Sequence, residues 1–264
     1  MSDARTGQLL PARVEAAPVP ALAVLCDIHA NLPALEAVLA DPRLKADALV
    51  VIGGDALSGP FPAATLARLE DLGERARFVR GNADRAMIDA FDGRMDPEGD
   101  ATDRWAAGAL DRAARDRVAA WPPALVVTVA ELGAVRLCHA TPRSDTDILT
   151  DVTPAHAAAA ALRGVPEPVV ACGHTHMAYD RMVRGWRVLN AGSVGMPYGE
   201  AGAHWLWLGP APRLMRTPYD LGEAARRIAS ESAWPGAAAF ARENVLTRPS
   251  RAQATAFFER LAGR

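Results

Sequence analysis

Five runs of strand length in this chain each stop on a residue able to bind a metal ion or exchange a proton, and this repetition limits the possible folds more than any other feature. The runs are 21–26, 48–52, 76–80, 135–138 and 168–172. They end, in order, at Asp27-Ile28-His29, Gly53-Gly54-Asp55, Gly81-Asn82, His139 and Gly173-His174-Thr175-His176. Most are continuously apolar, as expected of strands covered on both faces. Residues two apart on a strand project to the same side, so Asp27 with His29, and His174 with His176, would leave their strand ends together. A histidine pair at a strand end can equally be hydrogen-bonded, so a metal reading has to rest on the whole set.

Between the first runs lie helix-like segments, 32–39 and 62–72, and this β-α-β alternation predicts an α/β fold with parallel strands. Asn31 precedes the first segment and either caps that helix or touches a ligand. Residues 85–120 read as helix, loop and helix with a break over 92–100, a segment that covers the sheet or forms a lid. Hairpins are expected at 125–138 and 178–189, an alanine-rich helix at 154–162, and a last antiparallel pair at 204–208 and 213–216. Residues 221–264 form two amphipathic helical stretches split near Trp234-Pro235-Gly236. Residues 1–20, with Pro11, Pro18 and Pro20, suit a flexible leader, which leaves 21–264 as a single domain.

The 264 residues are half apolar and 23% charged, ordinary proportions for a packed globular chain. A formal net charge of -2 gives no overall basic footprint for nucleic acid or an anionic membrane surface. No apolar run has transmembrane length, so a cytoplasmic location and no membrane partner are expected. Cys26, Cys138 and Cys172 each lie inside an apolar run and form no Cys-x-x-Cys pair, which points to small core residues. His156 reads as a surface or packing residue of its helix, and His204 as a strand residue.

In an open α/β sheet the strand ends converge on one crevice. Collected there, Asp27, His29, Asp55, Asn82, His139, His174 and His176 offer the oxygen and nitrogen donors that divalent transition metals take. Seven donors exceed one tetrahedral ion but suit two ions about 3.5 to 4 Å apart bridged by a carboxylate, and Asp55 is the natural bridge.

The ordered set Asp27-x-His29, Gly54-Asp55, Gly81-Asn82, His139 and Gly173-His174-x-His176 resembles the calcineurin-like metallophosphoesterase superfamily over roughly residues 21–195. With Asn190-x-Gly192-Ser193 after the histidine pair, it is more similar to the small bacterial and archaeal phosphodiesterases of that superfamily than to the large serine/threonine phosphatases. The resemblance implies a four-layer α/β/β/α sandwich of two mixed sheets. It implies that Asp27, His29, Asp55 and His176 hold one metal ion and Asp55, Asn82, His139 and His174 the other. Manganese is the first choice, and iron, zinc, cobalt or nickel are compatible with the same donors. A hydroxide bridging the ions would then attack the phosphorus of a small phosphodiester or activated phosphomonoester in line.

One departure from the family pattern stands at Ala83, where many members carry a histidine thought to protonate the leaving group. A positioned general acid contributes about 10² to 10⁴ in rate, so the proton donor is an open question. Asp84 matches the acidic position that follows and would orient its neighbours. Arg143, close after His139, resembles a phosphate-contacting arginine, or it is a solvent-exposed or salt-bridged residue. A dinucleoside polyphosphate hydrolase and a protein phosphatase are narrower alternatives. A silent interaction scaffold with this fold is the alternative of another class, although such scaffolds usually degrade their ligands and all seven stand here.

Overall fold

A computed structural model describes residues 8–45 and 48–264. In chain order they form β1 (Ala12–Val14), β2 (Leu22–Leu25), α1 (Leu32–Leu39), α2 (Pro42–Lys45), β3 (Leu49–Ile52), α3 (Pro62–Glu70) and β4 (Ala76–Phe78). Next come α4 (Asn82–Phe91), α5 (Ala101–Gly108), α6 (Arg112–Ala119), β5 (Ala124–Val129), β6 (Gly133–Cys138), α7 (Ala155–Leu162) and β7 (Val169–Cys172). The hairpins β8 (Tyr179–Val183) with β9 (Trp186–Asn190) and β10 (Ala203–Leu208) with β11 (Arg213–Thr217) follow. The chain ends with α8 (Leu221–Glu231), α9 (Ala237–Phe240), a π-helical turn at Ala241–Leu246, and α10 (Arg251–Leu261).

The strands make two mixed sheets, one in the order β1-β5-β6-β7-β9-β8 and one in the order β11-β10-β2-β3-β4. Strands β2, β3 and β4 are parallel to one another, as are β6, β7 and β9. The two-residue side-chain period of a strand then sorts the apolar runs into layers. Leu22 and Val24 of β2 pack with Val51, Leu125, Leu137 and Val169 between the sheets, while Ala23 and Leu25 turn outward to Leu35 and Val38 of α1. On the far side, Val170 and Cys172 of β7 meet Ala158 and Leu162 of α7. These are the four layers α/β/β/α. All three cysteines are buried and free.

Both triplets of parallel strands end at the same edge of the sandwich, which gathers the segments after β2, β3, β4, β6 and β7 around one crevice. The segment 85–120 resolves into the end of α4 plus α5 and α6, one helix more than expected. It supplies Met87, Ala106, Leu110 and Val118 to the cluster that covers the five-stranded sheet. Within the C-terminal region α8, α9 and the π-helical turn form their own apolar cluster around Ile228, Phe240 and Val245. No helix among the described residues is long and apolar enough to cross a membrane.

The flexible leader expected over 1–20 is corrected in part. Residues 1–7 lie outside the described residues, but Ala12–Val14 pair in parallel with β5, and the amides of Glu15 and Val19 donate to Val126 and Thr128. Prolines are tolerated here because β1 is an edge strand, and Leu9, Leu10 and Ala12 pack against the outer cluster.

Trp205 of β10 is fully buried, stands edge-on to Trp207 with ring centres 6.4 Å apart, and donates its indole N–H to Thr217 Oγ1 at 3.0 Å. Trp205→Ala should cost about 3 to 5 kcal/mol of stability, read as a lowered urea midpoint with an unchanged slope. A loss under about 1 kcal/mol would show that this layer closes without it.

Candidate metal centre

The loops that end the parallel strands leave the ordinary backbone regions. Asp27, His29, Asp55, His174 and His176 have φ of 54, 47, 53, 66 and 56°, the left-handed region that non-glycine residues rarely enter. Such conformations cost of order 1 to 3 kcal/mol each and persist only where the surroundings enforce them. Here the loops are tied to one another: Asp27 N donates to Gly54 O at 3.0 Å, His29 N to Asp55 O at 3.0 Å, and Gly173 N to His139 O at 2.8 Å. Close approach also needs glycine. A Cβ on Gly54, itself at φ +95°, would lie 2.5 Å from His139 Nδ1, and one on Gly81 would run into the Asp55 carboxylate.

The side chains so placed form two groups that could each hold a metal ion, Asp27 with His29 and His176, and Asp55 with His139 and His174. Asp55 lies between the groups, its Oδ2 3.2 Å from His139 Nε2 and 4.0 Å from His29 Nε2. Asn82 Oδ1 is 3.0 Å from His139 Nε2, and the same end of the amide is 3.0 Å from His174 Nδ1. The seven residues named from the strand ends are therefore brought together.

Hydrogen bonding within this cluster fits a cation. His29, His139 and His176 each turn Nδ1 to a backbone carbonyl, of Ser58 at 3.1 Å, Gly53 at 3.0 Å and Met196 at 2.8 Å. With the Nδ1 proton held there, the neutral form of each ring turns Nε2 to the centre, the tautomer a metal requires. The Nε2 atoms of His29 and His176 face each other at 3.3 Å. Asp27 Oδ2 accepts from His174 N at 2.9 Å, but Oδ1 is buried without a hydrogen-bond partner, 3.4 Å from His176 Nε2. Buried orphan oxygens are expensive, so these converging acceptors make sense around positive charge.

Electrostatics carry the same imprint. Burial works to raise the Asp27 and Asp55 carboxyls, yet the neighbouring imidazoles, His176 for Asp27 and His139 for Asp55, hold both below the usual carboxylate range. Burial works to lower His139, and Asp55 overrides it to bring the imidazole up to about 10. His174 falls to about 4 through burial and then through the charge of His139. Burial and then Asp55 raise Asp84 to about 6. Its carboxyl accepts from Asp55 N at 2.9 Å, Ala56 N at 3.0 Å and Gly81 N at 2.9 Å. Asp84 thus orients the two loops on which Asp55 and Asn82 stand.

Asn31 and Arg143 are not brought to the cluster's cavity. Asn31 is wholly buried; its Oδ1 accepts from Ala34 N at 3.3 Å and its Nδ2 donates to Gly195 O at 2.9 Å, so it caps α1 and ties down the loop beyond the histidine pair. Arg143 lines a different cavity with Thr141, Asp147 and Arg264, and donates to the carbonyl of Arg163. The glycine-rich turn after β9 is a clamp: Ser193 Oγ donates to Asp27 O at 2.7 Å, and Asn190 Nδ2 to Gly173 O at 2.6 Å.

The donor cluster floors a cavity of about 450 Å³. One wall carries Ser58, Ala83, Asp100 and Asp103, and the other Met196, Trp234, Phe240 and Glu243. The sequence does not single out Ser58 or Asp103 as site residues, nor Trp234, Phe240 and Glu243 within the C-terminal region, because no local motif marks them and only the tertiary fold brings them to the cluster.

A family model described as the calcineurin-like phosphoesterase superfamily domain matches residues 21–208. No curated protein matches the chain. Among solved structures, a metallophosphoesterase from Sphaerobacter thermophilus is similar at 22% identity and a TM-score of 0.64, over 85% of this chain and 99% of that one. The hypothetical protein PH1004 from Pyrococcus horikoshii OT3 is similar at 22% identity and a TM-score of 0.71, over 84% of this chain and 97% of that one. At these identities the likeness is one of fold.

A ligand that binds only the folded chain at about 100 times its dissociation constant stabilises it by about 2.7 kcal/mol. Manganese added to chelator-treated protein should therefore raise its melting temperature measurably, and His176→Ala should remove most of that rise. An unchanged melting curve across common divalent ions would dismiss the cluster as a metal site.

Proposed function

The chain belongs to the calcineurin-like phosphoesterase superfamily, and on that premise we propose that it is a divalent-metal-dependent phosphoesterase acting on phosphodiesters or activated phosphomonoesters. The observation that supports this reading most is the unpartnered Asp27 Oδ1 among imidazole Nε2 atoms whose Nδ1 atoms are already committed. Asp27, His29, Asp55 and His176 would hold one ion, and Asp55, Asn82, His139 and His174 the second. Two divalent ions, when bound, polarise phosphoryl oxygens and lower the pKa of water at the centre.

The protein's own residues do the rest. The carbonyls of Ser58, Gly53 and Met196 keep the imidazoles in the ligating tautomer, and Asp84 fixes the Asp55 loop against α4. Asn82 offers a neutral oxygen, which adds no negative charge beside an anionic ester. The cavity above is half apolar, with Met196, Trp234 and Phe240 positioned to contact the ester groups and keep out bulk water.

Charge on the walls favours an ester with a single phosphate. Asp100, Asp103 and Glu243 line the cavity, and none of the described lining residues is an arginine or lysine. A dinucleoside polyphosphate would set additional phosphates against these carboxylates with no cation on the wall to receive them. The full donor set also argues against a silent scaffold, since a structural role needs no cluster of bare nitrogens and strained backbone.

Purified protein supplied with manganese should hydrolyse bis-p-nitrophenyl phosphate. Asp55→Ala should lower turnover by more than about 100-fold, the upper range for losing an outer-shell partner of a metal ligand. No metal-stimulated hydrolysis across common divalent ions and a panel of phosphoesters would reject the reading.

A further inference from the structure

With alanine at position 83, the proton for the departing alkoxide has to come from another wall of the cavity. Ala83 cannot supply it: the side chain has no titratable group, and its backbone N–H donates to Asp55 Oδ1 at 2.8 Å. Among the residues lining that wall, Asp103 of α5 is buried, with 7% of its surface exposed, and still borders the cavity that contains His29, Asp55 and Asn82. Its Oδ1 accepts from Ser58 Oγ at 2.5 Å, and Ser58 is the residue whose carbonyl holds His29 Nδ1 at 3.1 Å. Oδ2 has no hydrogen-bond partner among the described residues.

We propose that Asp103 is the general acid of this site, delivering its carboxyl proton to the ester oxygen that leaves phosphorus; the proposal rests on the phosphoesterase reading above. As an oxygen from water bonds to phosphorus, the opposite P–O ester bond breaks and its electron pair stays on the ester oxygen. That oxygen takes the proton from Asp103 Oδ2 and departs as an alcohol. The proton released by the attacking water returns to the Asp103 carboxylate, so the cycle closes with one water consumed and no other reactant.

The electrostatic setting supports a protonated acid. Burial is the main influence raising the Asp103 carboxyl, which reaches about 7. Donation from Ser58 opposes the rise, while the carboxylates of Asp100 at the N-terminal cap of its helix, Asp55 after β3 and Asp84 on α4 add to it. Glu243 from the π-helical turn and the imidazoles of His29, His174 and His176 line the same cavity. Bound divalent ions favour the carboxylate form, so in the loaded enzyme the value lies at or below this one.

The test compares Asp103→Asn with wild type on two esters. Bis-p-nitrophenyl phosphate releases a stable anion and needs no acid, whereas diphenyl phosphate releases a more basic phenolate. Asp103→Asn should lower kcat on diphenyl phosphate by about 100-fold and on bis-p-nitrophenyl phosphate by less than about threefold. The alkaline fall in the wild-type rate should vanish in the variant. In Ser58→Ala, which keeps the carbonyl that holds His29, the fall should move to higher pH because a donor to the carboxylate is lost.

Melting of the metal-free proteins supplies a readout independent of turnover. A carboxyl raised from 3.8 to about 7 stabilises the fold fully below 3.8 and loses that contribution as pH rises through 7. Asparagine cannot ionise, so the variant should melt above wild type near roughly pH 8 and together with it near roughly pH 4. Equal losses on both esters, an alkaline limb unchanged in the variant, or a variant that melts below wild type at the higher pH would each overturn the proposal. A wild type that hydrolyses neither ester with metal removes the phosphoesterase reading and this one with it; wild-type turnover with equal losses removes this one alone.

Discussion

The carboxylate of Asp55 is the point on which the two sheets and the candidate centre depend. Its N–H donates to Asp84 Oδ2, its carbonyl accepts from His29 N, and its Oδ1 accepts from Ala83 N, so the loops after β2, β3 and β4 are bound through one residue. Oδ2 reaches across to His139 from the other sheet at 3.2 Å. Because the residue is buried and left-handed, each contact constrains the same strained loop. The interaction is one of unlike charges in a low-dielectric site, where Asp55 is held ionised and His139 cationic in the absence of an ion. Metal ions would replace that pairing by direct coordination and release the imidazole proton, so folding, protonation and metal affinity are linked at this carboxylate.

How much of this is visible in the sequence depends on how local the cause is. The strands at 22–25, 49–52 and 169–172 are legible because burial on both faces demands unbroken apolar runs, and the ligands are legible because they follow those runs at once. Strand β1 is not, since an edge strand needs little apolar sequence and accepts the prolines that otherwise signal a leader. Asn31 illustrates a tie that sequence does not break: an asparagine before Leu32-Pro33 suits both capping and ligand contact, and only its place under Gly195 decides for the cap. Arg143 shows that nearness to His139 along the chain says nothing of direction, because the loop carries it to a different cavity. The left-handed φ angles and the carbonyl partners that set the imidazole tautomers have no sequence signature, since each results from a contact between distant segments.

A metal centre and an acid make opposite demands on one small volume. The ligands have to be unprotonated at working pH, whereas a general acid has to retain its proton beside them. If Asp103 is the acid, the two conditions fall on different elements, the carboxylate ligands on the loops after β2 and β3 and the acid on α5. The carboxylates of Asp27 and Asp55 sit against imidazoles, which stabilise their charge, while at Asp103 burial and the charges of Asp100, Asp55 and Asp84 outweigh the one stabilising donation from Ser58. Ser58 joins the regions without merging them: its carbonyl serves the His29 ring and its hydroxyl serves Asp103.

The proposed division would also account for the alanine at position 83. A histidine there would add a fourth imidazole to a cavity already lined by His29, His174 and His176. A proton source on α5 in place of that histidine, as proposed, would make the charge presented to a substrate neutral or negative instead of cationic. On that reading a substrate would draw its binding energy from the donor cluster and from Met196, Trp234 and Phe240, with little from ionic contacts on the walls. On the proposed reading, the same carboxylates that raise Asp103 would disfavour additional phosphates on a substrate, so acid strength and selectivity for singly phosphorylated esters would arise from one charge distribution.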